Sequence, residues 1–237
     1  MDIAIIERKN ISDEIVKIQE DYVLILDSAA KVEDAVLHRL KKYNTNADIL
    51  IFDYANIYPD GFLEKKTANT YHMSSKQMIK SFLSGQYSAY LGNKIFRKSL
   101  FGKMCENTDT GKYLDLSVCI ELFSQDCNVA YVPEILSAKI LETDRIPGGR
   151  SVIEEKETDE IVSYDKNYKR FLPILSGENR NFTYDIVARK KNLWVAKGLI
   201  KWWEYNKYAP IPLWSLLKQP WSKYGKLRYA LSYLMNR

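Results

Sequence analysis

The sequence predicts an α/β domain, with a mostly parallel sheet flanked by helices, followed by a helical extension that is basic and aromatic. Two observations carry this prediction. Short apolar runs alternate with helical patterns through the first 53 residues. All five tryptophans and a large excess of basic residues fall within residues 189–237. The length of 237 residues suits one such domain with an appendage, and it suffices to bury a core without disulfides.

Three apolar runs near the N-terminus are typical of buried parallel strands: Ile3–Ile6, Tyr22–Leu26 and Asp48–Phe52. Because helical patterns separate these runs, the strands are expected to pair in parallel, with helices on both faces of the sheet. In such sheets, ligands bind outside the carboxyl ends of the strands. Asp27 and Asp53 are both predicted to lie there.

Helices are predicted from capping residues and apolar spacing. Ser12 is expected to cap a first helix, whose first turn holds two acidic residues. Ser74 and Gln77 form a capping-box pattern, and Gly85 is expected to end that helix. Two further helices are predicted, one with Val32, Val36 and Leu40 on one face and one over Asp115–Phe123.

The second half of the predicted sheet is less regular. Ala89–Arg97 is predicted as a strand with an irregularity at Gly92, and residues 128–142 as two extended segments with a bend at Pro133. A Gly/Pro loop follows, and from Glu154 the chain is predicted to be helical. We therefore predict three parts: an α/β domain over residues 1–150, a helical connection over 151–189, and a basic, aromatic, amphipathic tail over 190–237.

The composition excludes several classes of protein. Hydrophobic residues make up 46% and charged residues 27%, as in ordinary globular proteins. The three cysteines form no CxxC pair and predict free thiols in a reducing compartment. With only two histidines, His38 and His72, neither His-based catalysis nor a His-rich metal site is expected. Neither a secretory signal nor an apolar run of the ~18 residues that a spanning helix needs is found, so a cytoplasmic location is expected.

The net charge of +5 combines two oppositely charged parts. Residues 189–237 hold eleven Lys or Arg and one acid, which gives them +10 and leaves −5 for residues 1–188. Basic residues with interfacial Trp and Tyr favour an anionic membrane surface, here the inner face of the cell membrane. Packing on the body or in a homo-oligomer is the alternative, and no motif favours nucleic acid. The predicted membrane contacts are Trp194, Trp202, Trp203, Trp214 and Trp221.

Five segments in order resemble the nucleotide-sugar glycosyltransferases of the GT-A fold, in particular the bacterial family 2 group that builds capsule, O-antigen and cell-wall glycans. They are Asp21–Ser28, Ala47–Tyr54, Gly92–Phe101, Gly111–Asp115 and Asn128–Leu136. The resemblance implies a GT-A-like, Rossmann-like sheet. It also implies that a sugar is transferred from a nucleotide-sugar to a lipid-linked or glycan acceptor in bacterial surface polysaccharide biosynthesis, such as that of lipopolysaccharide or capsule.

The resemblance also implies roles for particular residues. Asp115 would be the general base, since an acceptor hydroxyl needs a carboxylate within hydrogen-bond reach. Asp27 would lie at the donor diphosphate and contact a Mg²⁺ or Mn²⁺ ion, which such hard oxygen ligands suit. The other expected contacts are Ser28, Asp53, Arg145 and Arg150 with the donor, and Asn93 and Lys94 with the acceptor.

Three departures from the family pattern leave the activity open. Ala29 and Ala30 stand where motif carboxylates are expected, which should weaken metal binding, and Leu114 replaces an acid before the base. Only about 20 residues precede the strand that ends at Asp27, so the nucleoside half of the donor site is expected to be absent or shortened. The alternative is a non-catalytic relative that docks to a membrane or a protein through its tail. A third interpretation is a basic polyanion-binding protein.

Overall fold

The structure is a computed structural model that describes residues 2–27, 36, 38–40, 43, 46–68, 73–103, 113–141, 157–218 and 223–235. The chain divides into two compact units. The sheet unit comprises Met1–Thr110 and Leu114–Ile153. The helical unit comprises Gly111–Tyr113 and Glu154–Arg237.

The sheet unit is built on a six-stranded sheet. Strands β1, β2, β3 and β6 run in one direction, while β4 and β5 run antiparallel to them. The sheet is therefore mostly parallel, as the sequence predicts. The strands are β1 (Ile3–Glu7), β2 (Tyr22–Leu26), β3 (Ile49–Ile57), β4 (Leu63–Lys66), β5 (Lys94–Arg97) and β6 (Val129–Ile140).

The strand order differs from the expected direct pairing of β2 with β3. β5 lies between these two strands and pairs antiparallel with each of them. β4 forms a hairpin with the second half of β3, and β6 pairs in parallel along the other edge of β3. Consecutive βαβ pairing is therefore correct for β1 and β2 but wrong for β2 and β3, because a later strand takes the intervening position.

Helices cover the sheet where the apolar patterns predict. They are α1 (Ile11–Ile15), α2 (Ser75–Ser84) and α3 (Leu114–Phe123). The capping box of Ser74 and Gln77 is confirmed, and Gly85 ends α2 in the left-handed conformation with φ of 74°. Ser12 is not an N-cap, because α1 already begins at Ile11. Val36 and residues 38–40 are helical.

Two extended segments also differ from the prediction. The strand expected over Ala89–Arg97 contains only β5, because Leu91–Asn93 forms a 3-10 turn ahead of it. Residues 129–140 form one strand, not two. The predicted bend at Pro133 is an irregularity in the register between β3 and β6. Beyond it, β6 continues to pair with β3 in a shifted register, from Ile135 to Ile140.

The sheet is apolar on both faces. Tyr22, Leu24 and Leu26 alternate with Val23 and Ile25 along β2, and all five are buried. One face packs into a core that includes Leu50 and Phe52 of β3, Ile95 of β5 and Leu136 of β6. On α2 and α3, Phe82 and Phe123 meet edge to face with ring centroids 5.0 Å apart. The same core includes Ile3, the first residue of β1, and Leu26, the last residue of β2.

The helical unit contains four helices within the described residues: α4 (Glu157–Phe171), α5 (Gly177–Ala196), α6 (Leu213–Lys218) and α7 (Lys223–Met235). The predicted boundary at residue 190 falls inside α5, and the three-part division of the chain stays a prediction. No helix of the described residues is long and apolar enough to cross a membrane.

Candidate active site

Three charged side chains meet at the carboxyl edge of the sheet. Arg8 follows β1 directly, Asp27 follows β2, and Asp115 lies in the first turn of α3. The Nε atom of Arg8 is 2.5 Å from Oδ1 of Asp115 and 3.6 Å from Oδ1 of Asp27. The sequence-predicted base and the sequence-predicted donor residue therefore lie together, joined by an arginine that the prediction missed.

Asp115 occupies an environment that suits a general base. Its side chain is only 16% exposed. Burial raises the pKa of the Asp115 carboxyl above its ordinary value, the positive charge of Arg8 opposes this, and the charge of Asp27 adds to it. A carboxyl with a raised pKa accepts a proton more readily near neutral pH than an exposed one.

Two tyrosines extend this cluster. The rings of Tyr54 on β3 and Tyr90, just before β5, pack with centroids 4.9 Å apart. Tyr90 is 3% exposed, and its hydroxyl has no hydrogen-bond partner among the described residues. Burial raises the pKa of Tyr90, and the charges of Asp27 and Asp115 raise it further. The Tyr90 hydroxyl is thus a buried polar group without a hydrogen-bond partner among the described residues, and the charges of both carboxylates act on it.

Gly92 fixes the position of the Tyr90 ring. A Cβ atom on Gly92 would overlap the hydroxyl and the ring carbons of Tyr90. We expect Gly92→Ala to push the ring aside and to lower the free energy of unfolding by about 1–3 kcal/mol, as overpacking in a core does. Chemical denaturation followed by circular dichroism measures this change. Gly102→Ala is the control, because a Cβ there meets no atom within 4 Å. Equal stability of the two variants would contradict the expectation.

Asp53 lies within β3, not beyond its end. It is 1% exposed, and its Oδ1 accepts hydrogen bonds from the Tyr131 hydroxyl at 2.7 Å and from the Ala68 backbone N–H at 2.9 Å. β3 continues four residues past Asp53, to Ile57. The structure therefore gives this carboxylate two protein partners, and its contact with a donor stays a prediction.

Asn93 and Lys94, the predicted acceptor contacts, are buried. The Nδ2 atom of Asn93 donates to the Phe52 carbonyl at 2.8 Å. The Nζ atom of Lys94 donates to the Tyr90 carbonyl at 2.6 Å, to the Ser88 carbonyl at 3.1 Å and to Oδ1 of Asn93 at 2.7 Å. Burial lowers the pKa of Lys94. These bonds hold the segment before β5, and acceptor binding by either residue stays a prediction.

A cleft of about 520 Å³ opens beside these two residues. Its lining also includes Tyr54, Ser88 and Leu116, the residue after Asp115. The cleft has a mixed polar and apolar wall, as small-molecule sites usually have, and it shares α3 with Asp115, although Asp115 itself does not line it.

The described residues do not fit a divalent metal site. The guanidinium of Arg8 lies against both Asp27 and Asp115, so these two carboxylates face a cation that the protein itself supplies. Among the described residues, no group of three or more His, Cys, Asp or Glu side chains could hold a metal ion. Asp27 stays only a predicted metal contact.

Several predicted site residues lie outside the described residues: Ser28, Ala29, Ala30, Arg145, Arg150 and Trp221. The other tryptophans belong to the helical unit. Trp194 is 3% exposed and packs edge to face on Tyr164, while Trp202 is half-buried and packs on Trp203. Trp203 and Trp214 are 41% and 45% exposed. Of the four, these two present the most surface to a partner.

Comparison with solved structures identifies the fold. The chain is similar to crystal structures of Staphylococcus aureus TarS residues 1–349, alone, in complex with UDP-GlcNAc and in complex with UDP. The TM-scores are 0.56, 0.56 and 0.57 at 10% sequence identity, over 94–96% of this chain and 67–68% of those chains. The fold is GT-A-like. No protein-family model matches the chain, and no curated protein matches it.

Proposed function

We propose that this chain is a glycosyltransferase of bacterial surface polysaccharide biosynthesis, which transfers a sugar from a nucleotide-sugar to a lipid-linked or glycan acceptor. The observation that carries the proposal is the pair of carboxylates, Asp27 and Asp115, at the carboxyl edge of a GT-A-like sheet. Ligands of open α/β sheets bind at this edge. The resemblance of the sequence segments supports the same function.

In the proposed reaction, Asp115 is the general base. The acceptor hydroxyl oxygen attacks the anomeric carbon of the donor sugar and forms the new C–O bond. The bond from that carbon to the diphosphate oxygen breaks, and the nucleoside diphosphate leaves with the electron pair. The hydroxyl proton passes to the carboxylate of Asp115, whose raised pKa favours this step.

The cleft beside Tyr54 and Leu116 is the proposed entrance for the acceptor. Its position supports this, because Leu116 follows the base directly and the Tyr54 ring packs on Tyr90 at the carboxylate cluster. Asn93 and Lys94 line the cleft, while their side-chain polar atoms hydrogen-bond to the Phe52 and Tyr90 carbonyls. In this proposal, Asn93 and Lys94 stabilise the wall of the acceptor site and do not bind the acceptor through their polar side-chain atoms.

The first donors to test are UDP-sugars, since the similar TarS structures are complexes with UDP-GlcNAc and UDP. We expect this chain to bind UDP and to release UDP slowly from a UDP-sugar when water replaces the acceptor. Calorimetry and a coupled UDP assay measure these two events. Binding without release, with any UDP-sugar or acceptor mixture, would favour the alternative of a non-catalytic binding subunit. The ion pair between Arg8 and Asp115 supports this alternative, because it occupies the carboxylate proposed as the base. If the chain does not bind UDP or any other nucleoside diphosphate, the proposed function is wrong.

The helical unit is proposed to hold the protein against the anionic inner face of the cell membrane. On α7, Leu227, Leu231 and Leu234 share one face and are 60%, 45% and 63% exposed. Exposed Lys197, Lys201 and Lys207 supply positive charge in the same unit. A basic surface with exposed leucines and tryptophans is typical of proteins that lie on a bilayer.

Replacing the three α7 leucines tests this proposal. We expect Leu227→Glu, Leu231→Glu and Leu234→Glu, combined, to weaken binding to phosphatidylglycerol vesicles at least about tenfold, because each buried Leu contributes about 1.5–3 kcal/mol. Vesicle flotation measures the bound fraction. Val162→Glu is the control, since Val162 is 59% exposed on α4 of the same unit. Equal flotation of the triple variant and the control would contradict membrane binding through α7.

A further inference from the structure

Arg8 lies where a diphosphate is expected to bind. It directly follows β1, and Asp27 directly follows the neighbouring parallel strand β2, so the guanidinium lies at the carboxyl edge of two adjacent parallel strands. That edge is the usual ligand position in open α/β sheets. The side chain of Arg8 is 22% exposed, which leaves part of it accessible from solvent.

The chemistry of the site needs a cation. A nucleoside diphosphate that leaves with an electron pair gains negative charge, and GT-A-like sites with a carboxylate motif provide a divalent metal to stabilise it. This sequence has Ala29 and Ala30 where two of those carboxylates would stand. An alanine side chain has no atom that can coordinate a metal ion. A guanidinium, by contrast, is permanently charged and binds phosphate oxygens through two parallel N–H groups.

The arginine is held by acids that a diphosphate can replace. Its Nε is 2.5 Å from Asp115 but 3.6 Å from Asp27, so the contact with Asp27 is beyond direct hydrogen-bond distance. The hydroxyl of Tyr90, buried without a partner among the described residues, lies in the field of both carboxylates and of Arg8. A phosphate oxygen that enters beside the 22% exposed guanidinium of Arg8 would gain a charged donor.

We propose that Arg8 replaces the divalent metal of the donor site and binds the diphosphate of the nucleotide-sugar directly. When the bond from the anomeric carbon to the diphosphate breaks, Arg8 pairs with the charge that the leaving oxygen gains. Its move from Asp115 to the diphosphate frees that carboxylate to accept the proton of the acceptor hydroxyl. The inference rests on the proposed transfer reaction and assigns its cation.

Nucleotide affinity tests this assignment with the full chain. Calorimetry measures the affinities for UDP, GDP, dTDP and ADP, each in EDTA and in Mn²⁺. The affinity for the nucleoside of the tightest-binding diphosphate is then measured in the same way. We expect EDTA and Mn²⁺ to change the affinity of the wild-type chain by less than about twofold. Arg8→Gln should weaken binding of the diphosphate about tenfold to a hundredfold, as loss of a charge-assisted hydrogen bond does, and should leave the nucleoside affinity unchanged. The diphosphate affinity of Arg8→Lys should lie between those of the wild-type chain and Arg8→Gln, because lysine keeps the charge but loses the paired donors.

Arg97→Gln is the matched control. Arg97 also pairs with an aspartate, since its Nε is 2.9 Å from Oδ1 of Asp48. It lies opposite Tyr22 at the start of β2, and so at the opposite edge of the sheet from Arg8. Its loss should leave diphosphate affinity unchanged. Binding that needs Mn²⁺, or an Arg8→Gln variant that binds as tightly as Arg97→Gln, would overturn the role of Arg8 and leave the proposed transferase intact. If no nucleoside diphosphate binds the wild-type chain, both proposals are wrong.

Discussion

The Asp115→Asn variant should retain donor binding and lose sugar transfer. Asparagine keeps the size and the hydrogen-bonding oxygen of Asp115, but it cannot accept the acceptor proton. General base catalysis contributes about 10²–10⁴-fold, so we expect kcat to fall by that factor. Steady-state transfer measured with a UDP-sugar, together with calorimetric binding of UDP, separates the two effects.

Asp48→Asn provides the comparison for this variant. Asp48 pairs with Arg97 as Asp115 pairs with Arg8, yet it precedes β3 and lies at the amino end of that strand. Its replacement should leave kcat within about threefold of the wild-type value, so that loss of an aspartate–arginine pair alone does not account for a large effect. An Asp115→Asn variant with undiminished kcat would exclude Asp115 as the base.

The stability of the helical unit should increase as the pH rises toward 9, and Lys191→Met should remove much of that dependence. Lys191 on α5 is completely buried. Its Nζ donates to the Ala209 carbonyl at 3.0 Å and lies 4.4 Å from the centre of the Tyr205 ring. Burial lowers the pKa of Lys191 well below its ordinary value, and the nearby charge of Asp165 offsets this only in part.

The sign follows from proton uptake. Between the lowered pKa and the pKa of about 10.4 in the unfolded chain, Lys191 is neutral when folded and protonated when unfolded, so unfolding takes up a proton. Raising the pH therefore stabilises the folded state, by up to about 1.4 kcal/mol per pH unit. Buried Tyr164, Tyr168 and Tyr205 have raised pKa values and act in the opposite direction at higher pH, which is why the window ends at 9.

Tryptophan fluorescence during urea unfolding measures this effect selectively, because every tryptophan of the chain lies in the helical unit. Lys207→Met is the control, since Lys207 is exposed in the same unit. It should keep the wild-type slope. A Lys191→Met variant with the same slope as Lys207→Met would show that Lys191 stays protonated in the folded protein.

The sequence was sufficient for the parts of the site that depend on local patterns. Asp27 ends an apolar strand and Asp115 falls in the first turn of a helix, and both patterns are visible without a structure. Arg8 was missed because Glu7, Arg8 and Lys9 look like an ordinary solvated charged turn. The signal was its position directly after β1, which is the same kind of position that identified Asp27.

Burial of polar residues was the part that the sequence could not predict. Lys94 is 1% exposed although lysine is rarely buried, because the carbonyls of Ser88 and Tyr90 converge on its Nζ atom only once the segment before β5 has folded. Asp53 was expected beyond a strand end, yet β3 continues past it along β6 and gives it Tyr131 as a partner. The partners that allow Lys94 to be buried are backbone carbonyls, which no sequence pattern reveals. The partner of Asp53 is a tyrosine that is distant in sequence, so the contact is visible only in the folded protein.

The position of β5 has a consequence for synthesis of the chain. β2 and β3 emerge from the ribosome well before Lys94, but each needs β5 to cover the edge that faces the other. Until then, both present open backbone edges of apolar strands, which are the usual templates for aggregation. A nascent or truncated chain that ends before β5 is therefore expected to require a chaperone. The gap between β2 and β3 can close only after β5 has been translated.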